Sequence, residues 1–280
     1  MIARDQAPMA FTAWDALIDA VASTTPTDLM EQARAIVRAS LDPAAAAVPR
    51  SGRPDAMAFA EQMVVDVASM TADIRGAGLA ELGADAPAFV LAVWTEDMMM
   101  RAGAAWREMF GEEWRPIPSP TQTDPWVAHE GFLLEVAKLP ALDPVTSELV
   151  RLRGARAHEC RLCQSRRNVT AIDLAGGCDL FDEQDPSAIS DAQALALQLV
   201  DSFVWQPIRW PPGLGEQVVD TLGPAAATEL TLDIVRNAAN KIAVAFGADA
   251  PHVETGVEYY DIDVSTGKLR YNVSPVTPSA

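Results

Sequence analysis

A near-repeat constrains this chain more than any other feature of its sequence. Residues 55–64 read DAMAFAEQMV and residues 191–200 read DAQALALQLV, identical at six of ten positions and 136 residues apart. The same spacing carries Phe110-Gly111 onto Phe246-Gly247, each closing an alanine-rich stretch. Leu82-Gly83 and Leu222-Gly223 match at a spacing of 140, which a short insertion accommodates. Self-similarity on this scale points to a duplicated structural unit, against chance likeness between two alanine-rich stretches. The 280-residue chain has room for two such units. Applied to Cys160 and Cys163, the spacing places Thr24 and Thr27 opposite them. The N-terminal copy, residues 10–112, therefore carries no thiols.

Helical periodicity dominates both halves. Leu149, Leu152 and Ala155 fall at three-residue steps, and Leu230, Ile234, Ala238 and Ile242 repeat one face of a longer helix. Prolines and glycines punctuate the pattern from Pro43 to Pro54, from Pro116 to Pro125, at Gly176-Gly177 and from Trp205 to Gly215. The fold expected is all-α. One exception is the tail, where Tyr260, Ile262 and Val264 alternate before Ser265-Thr266-Gly267-Lys268 and read as a short C-terminal hairpin. Residues 113–145, proline-rich and carrying Trp114 and Trp126, read as a linker with a first helix. Residues 146–255 form the unit carrying Cys160 and Cys163, and residues 256–280 an extension. Trp205 and Trp210 read as a staple in an interhelical loop.

Composition excludes several classes of function. Hydrophobic residues make up 49 % of the chain, enough for a buried core. Acidic residues outnumber basic ones 39 to 21, a net charge of −18 that repels phosphate backbones and anionic lipid, so neither nucleic acid nor a membrane is an expected partner. The first twenty residues lack the basic start and apolar block of a secretory signal, and no uncharged apolar run of about 18 residues occurs. A cytoplasmic location is the expectation.

Three cysteines, at 160, 163 and 178, are too few and too uneven for a disulfide framework. The C-x-x-C pair reads as a redox couple or half a metal site. With His129, His158 and His252 the only histidines, zinc ligands are scarce. Redox is the sharper reading, with no metal or other cofactor expected. Cys178 reads as a buried structural cysteine.

Glu148 precedes Cys160 by twelve residues, about 18 Å along an unbroken helix and too far for contact. A turn near His158–Cys160 and a second helix returning from it would bring Arg167 opposite Glu148. Cys163 and Arg167, four residues apart, would share a face of that helix. Both cysteines would then lie in its first turn, where the helix dipole and Arg161, Arg166 and Arg167 favour a thiolate. Such a thiolate attacks a peroxide or a disulfide, and the second cysteine resolves the product. Each residue also has a plainer reading: Glu148 and the arginines as solvated helix faces, His158 as a surface or capping residue.

The run ELVRLR…C-x-x-C, with its glutamate twelve residues before the first cysteine, resembles the alkylhydroperoxidase D-like group of the carboxymuconolactone decarboxylase superfamily. Leu230–Gly247, with Asn237 and Asn240, is similar to that group's closing helix, and the likeness covers roughly residues 120–250. The resemblance implies an alkylhydroperoxidase D-like all-α homo-oligomer that reduces hydroperoxides or disulfides through a cycling dithiol, at the expense of a thiol reductant whose identity it leaves open. It also implies that Cys163 is the peroxidatic thiol, that Cys160 is the resolving thiol reached by reductants, and that Glu148 belongs to a proton relay. The chain departs from the pattern at Arg167, where the group's peroxidases carry histidine. Arginine does not release a proton at any accessible pH. His158 is the candidate substitute acid, and Arg167 retains a charge that can hold a thiolate and pair with Glu148. Two rival readings stand beside this one: a non-catalytic oligomeric scaffold, and the superfamily's decarboxylase or lactonase acid–base chemistry.

Overall fold

A computed structural model describes residues 2–45, 52–119, 123–183 and 188–276. Residues 120–122 of the expected linker and the last four residues of the expected extension lie outside the described residues. The chain is all-α apart from a small three-stranded sheet near its C-terminus. Helices α1 (Ile2–Gln6), α2 (Pro8–Thr24), α3 (Thr27–Leu41), α4 (Pro54–Asp66), α5 (Ala72–Leu82) and α6 (Ala86–Phe110) occupy the first half. After α7 (Pro125–Ala137) come α8 (Pro144–Ala157), the single turn α9 (Arg161–Gln164), strand β1 (Arg166–Asn168), α10 (Val169–Ala175) and α11 (Asp179–Glu183). Then follow α12 (Asp191–Trp205), α13 (Leu214–Asn237), α14 (Asn240–Phe246) and strands β2 (Glu258–Ile262) and β3 (Leu269–Tyr271).

Local chemistry sets these boundaries. Asp143 caps α8 by accepting from the Thr146 amide at 2.9 Å, with Pro144 in the first turn where its missing N–H costs nothing. Ser190 and Gln193 close a reciprocal capping box at the start of α12. Gly111 and Gly247 end α6 and α14 in the left-handed conformation, with φ of 66° and 68°. Helix α13 is bent at Gly223, whose φ of 79° and ψ of 161° are non-helical, immediately before Pro224.

The near-repeat falls on corresponding elements only in part. Its two decapeptides lie in α4 and at the start of α12, and Pro8 and Pro144 open α2 and α8, but Gly111 closes the 25-residue α6 whereas Gly247 closes the seven-residue α14.

The core gathers around α6. Trp106 on this helix meets Trp14 of α2 at 5.5 Å between ring centroids and Trp114 at 5.4 Å, while Phe132 of α7 reaches Trp14 at 5.1 Å. Each of these large rings removes apolar surface from water at roughly 25 cal/mol per Å². The segment Ala72–Phe110 is long and apolar enough, by length and composition alone, to cross a membrane, and 44 % of its most apolar window is buried inside the protein.

The sheet has order β1-β2-β3. The expected hairpin is present as β2 and β3, which pair antiparallel with Tyr260 opposite Tyr271. Strand β1 joins it in parallel, Asn168 beside Tyr260, and so ties the segment after the cysteines to the C-terminal extension. The loop tryptophans divide: Trp210 is buried as a staple would be, whereas Trp205 is half exposed.

Candidate active site

Cys160 and Cys163 form a disulfide with 5.3 Å between their Cα atoms. Cys160 occupies the N-cap position of α9, and the Cys163 amide donates to its sulfur at 3.3 Å. The second helix differs from the sequence expectation. It lasts one turn and gives way to β1 at Arg166, so Cys163 and Arg167 share no helix face, and so short a helix carries little dipole. Pairing with β2 takes over the backbone just where the helix was expected to continue.

Glu148 is buried at 3 % exposure on α8, but its partner is Arg151 and not Arg167. The Arg151 Nε donates to Oε2 and its Nη2 to Oε1, both at 2.7 Å, a forked ion pair one helical turn long. The remaining donors of Arg151 reach the carbonyl oxygens of Cys163 at 2.8 Å and Arg166 at 2.7 Å. One guanidinium thus couples the carboxylate to the backbone of the C-x-x-C loop. Two further donors complete the carboxylate: the Tyr260 hydroxyl at 2.9 Å and the Asn168 amide at 3.1 Å. The Tyr260 ring also lies under the Arg151 guanidinium at 5.5 Å. Burial, ahead of the neighbouring charges, keeps the tyrosine hydroxyl protonated far above its ordinary range.

Arg167 turns away from Glu148. Its Nε and Nη2 grip Asp182 at 3.0 and 2.5 Å, and its Nη1 donates to the carbonyls of Gln164 and Arg166. Arg161 and Arg166 are also engaged, with Asp249 at 2.9 Å and Glu258 at 2.6 Å. The arginine cluster is therefore a set of neutralised struts, not a pool of charge aimed at the sulfurs.

His158 is buried, against its plainer reading as a surface residue. Its Nδ1 lies 2.7 Å from Asn240 Oδ1, an amide oxygen that only accepts, so the ring nitrogen is the donor. Burial, seconded by the Lys241 charge, lowers its pKa to about 3. It is a neutral ring at physiological pH and does not stand ready as an acid. Cys178 is a free, half-buried thiol whose pKa burial raises.

The sulfurs differ in access. Cys160 is fully buried, while Cys163 is half-buried and lines a cavity of about 130 Å³ with Arg151, Asn237, Asn240, Tyr260 and Leu269. In this conformation Cys163 is the more accessible sulfur, whereas the family resemblance implied that reductants reach Cys160. A second cavity, of about 120 Å³, lies on the other side of Arg151 and Tyr260 and holds Glu148, Glu229 and Asp233. Burial raises the Glu229 pKa to about 7 against hydrogen bonds from the Ala141 and Leu142 amides. Among the described residues, no group of three or more histidines, cysteines and acidic side chains is placed to hold a metal ion.

Three residues of this arrangement were not singled out in the sequence. Arg151 stood three residues after Glu148, a spacing that pairs charges on a helix. Tyr260, 112 positions from its partner, gave no local signal. Lys241, inside an apolar helix, was signalled by its own charge.

Two relatives, the uncharacterized proteins MT2376 and Rv2313c from two strains of Mycobacterium tuberculosis, are each 42 % identical over 215 residues, which is 73 % of this chain and 76 % of theirs. The chain belongs to the family these proteins represent. No family profile matches the chain, and no solved structure does.

Proposed function

We propose that the chain is an alkylhydroperoxidase D-like thiol oxidoreductase that reduces hydroperoxides or disulfides through Cys163 and Cys160. The observation that carries this reading is the C-x-x-C pair at bonding distance, with its loop held by the Glu148–Arg151 pair beside a cavity that reaches Cys163.

With a hydroperoxide, the Cys163 thiolate attacks the terminal oxygen. The O–O bond breaks, Cys163 becomes a sulfenic acid, and the departing alkoxide takes a proton to leave as an alcohol. The Cys160 thiol then attacks the Cys163 sulfur and expels water, closing the disulfide. Two external thiols reduce it and are themselves oxidised to a disulfide. In this reading Arg167 fixes the loop through Asp182 and takes no part in proton transfer. Tyr260 shares the cavity with Cys163, and to its hydroxyl we assign the proton of the departing alkoxide: the O–H swings from Glu148 to the alkoxide, and solvent returns the proton.

The same reading makes residues 10–112 a thiol-free copy of the catalytic unit. The shared placement of Pro8 with Pro144 and of α4 with α12 supports it. Such a copy would serve as a built-in partner, as a second subunit does in a symmetric pair, and a cytoplasmic homo-oligomer fits that role.

Thiol counting tests the proposal. Reduced protein exposed to one equivalent of hydroperoxide should lose two titratable thiols, mapped by mass spectrometry to 160 and 163 and restored by dithiothreitol. Both thiols surviving a large excess would favour the scaffold or the acid–base enzyme.

A further inference from the structure

The two residues between the cysteines, Arg161 and Leu162, are both held by Asp249, a buried residue just past the glycine that ends α14. The Arg161 amide donates to Asp249 Oδ2 at 3.0 Å, and the Leu162 amide donates to the Asp249 carbonyl at 2.8 Å. The Arg161 guanidinium closes on the same carboxylate as a fork, Nε on Oδ2 at 3.1 Å and Nη2 on Oδ1 at 2.9 Å. One aspartate, 88 positions after Arg161, thus grips the turn that carries both sulfurs.

That grip has a consequence for the sulfurs. Of the three amides that open α9, Asp249 takes two, and only the Cys163 amide is left to the sulfur of Cys160. N–H donors and nearby positive charge stabilise a thiolate. Asp249 withholds both, because it occupies the donors and neutralises Arg161, the cation set between the two cysteines. Hydrogen bonds from Arg161 hold the Asp249 carboxyl below its usual range, so it is ionised at neutral pH. Water screens the Arg161 side chain, 61 % exposed, far more than the Asp249 side chain at 7 %. The negative member of the pair therefore acts more strongly on the turn. The other charges beside it are paired, Arg151 with Glu148, Arg166 with Glu258 and Arg167 with Asp182. His252 faces Glu258 at 3.5 Å, and Glu159 is exposed.

Given the thiol chemistry proposed above, we infer that Asp249 is a positioning residue that sets the redox balance of the Cys160–Cys163 couple and favours its disulfide. Whatever disfavours the thiolate disfavours the reduced form, which makes the dithiol the stronger reductant. By fixing Arg161 and Leu162, Asp249 also keeps the cysteine Cα atoms 5.3 Å apart, a spacing that suits the bond. Both effects have the same sign. Such a couple is suited to handing electrons to a peroxide, and poorly suited to oxidising the thiols of other proteins.

Two variants that leave the turn's amides bonded separate the charge from the grip. Asp249→Asn keeps a side-chain acceptor for the Arg161 amide and removes the negative charge. Arg161→Met, at an exposed side chain, removes the cation and leaves Asp249 uncompensated. The pH midpoint for alkylation of the reduced protein by iodoacetamide, followed at Cys163 by mass spectrometry, is the first readout. It should fall by about one unit in Asp249→Asn, a gain of about tenfold in ionisation, and rise in Arg161→Met. The second readout is equilibrium with glutathione near pH 8.5, where reducing each protein disulfide consumes two glutathione thiols and yields one glutathione disulfide. That equilibrium should move about fivefold toward the dithiol in Asp249→Asn and toward the disulfide in Arg161→Met.

A merely loosened turn would move both variants the same way. Shifts of one sign in the two variants, or a midpoint unmoved in either, would overturn the assignment. Should Asp249→Asn fail to fold, the direction in Arg161→Met decides, a rise upholding it and a fall overturning it. Neither readout uses a hydroperoxide, so the peroxidase reading can fail by thiol counting while these shifts stand.

Discussion

Arg151 holds Glu148 through two parallel hydrogen bonds of 2.7 Å and, with the same guanidinium, the carbonyl oxygen of Cys163 at 2.8 Å. Carboxylate and thiol loop are thereby positioned by one buried cation. Removing it in Arg151→Met strands a carboxylate that is almost wholly buried, a change that costs about 3–5 kcal/mol. Glu148→Leu combined with Arg151→Met removes both charges and should recover most of that loss. Urea denaturation of the single and double variants measures the difference. A double variant as unstable as the single one would show that loop anchoring, and not charge pairing, is what Arg151 supplies.

Tyr260 contributes one hydroxyl to that carboxylate and none of its charge. Tyr260→Phe keeps the ring beneath Arg151 and removes the bond to Glu148, so stability should fall by about 1.5–3 kcal/mol, the range for a bond to a charged group. If the hydroxyl also donates to the departing alkoxide, single-turnover oxidation of Cys163 by hydroperoxide should slow, while alkylation of the reduced thiol by iodoacetamide, which needs no such donor, changes much less. Equal slowing of both reactions would place the effect on the thiolate instead.

These two residues show how far the site could be read in advance. The cap Asp143-Pro144 and the three-residue steps of α8 were legible, and so was the Glu148 to Cys160 spacing, because helix geometry is local. Whether Arg151 or Arg167 turned toward Glu148 depended on where the second helix stopped. That stop is set by β1 pairing with a strand some 90 residues later, which no local pattern in RLCQSRRN announces. Alternation in the tail announced a hairpin without saying which sheet partner or which cavity Tyr260 would find. The buried ion cluster of Asp97, Arg101 and Lys241 was not read in advance, because their charges alone do not say that α6 and α14 meet.

Protons should report the burial of His158 and His129. Desolvation lowers their pKa values to about 3 and about 4 from an ordinary 6.5, so below pH 6.5 the unfolded chain takes up two protons that the folded one refuses. Their contribution is present above pH 6.5 and is lost as pH falls, at about 1.4 kcal/mol per pH unit for each histidine. Glu229 acts in the opposite sense. Raised to about 7 from 4.5, chiefly by burial, it keeps a proton when folded that it loses when unfolded, so its contribution is present below pH 4.5 and is lost as pH rises through 7. Between pH 5 and 6.5 stability should therefore fall gently on acidification. Glu229→Gln should steepen that fall and His158→Gln should flatten it, as read from denaturation midpoints across the range. A His158→Gln profile parallel to that of the parent protein would mean that the imidazole is not held neutral.

The disulfide closes a loop of only three residues' separation. In the chain-entropy account so short a loop restricts the unfolded ensemble little, and reduction should cost about 2 kcal/mol. The reduced protein should keep its helical far-ultraviolet spectrum and unfold at modestly lower denaturant. Collapse of the helices on reduction would assign Cys160 and Cys163 a structural role in place of a cycling one.

Gly267 connects the hairpin to the rest of the molecule and thereby to the site. Its φ of 74° favours glycine, and a Cβ there would run into the carbonyl oxygen of Leu134 on α7. Gly256, also at positive φ (76°), has open space where its Cβ would be. Gly256→Ala therefore meets backbone strain alone, about 1 kcal/mol, whereas Gly267→Ala must also push the turn between β2 and β3 off α7. Displacing β2 withdraws the Tyr260 hydroxyl from Glu148, so Gly267→Ala should slow hydroperoxide oxidation of Cys163 as Tyr260→Phe does, and Gly256→Ala should leave it near the parent rate. Hydrogen exchange at residues 258–262 provides the structural readout, with faster exchange expected in Gly267→Ala. Rapid exchange there without any change in thiol oxidation would show that Cys163 reacts independently of the strand that carries Tyr260.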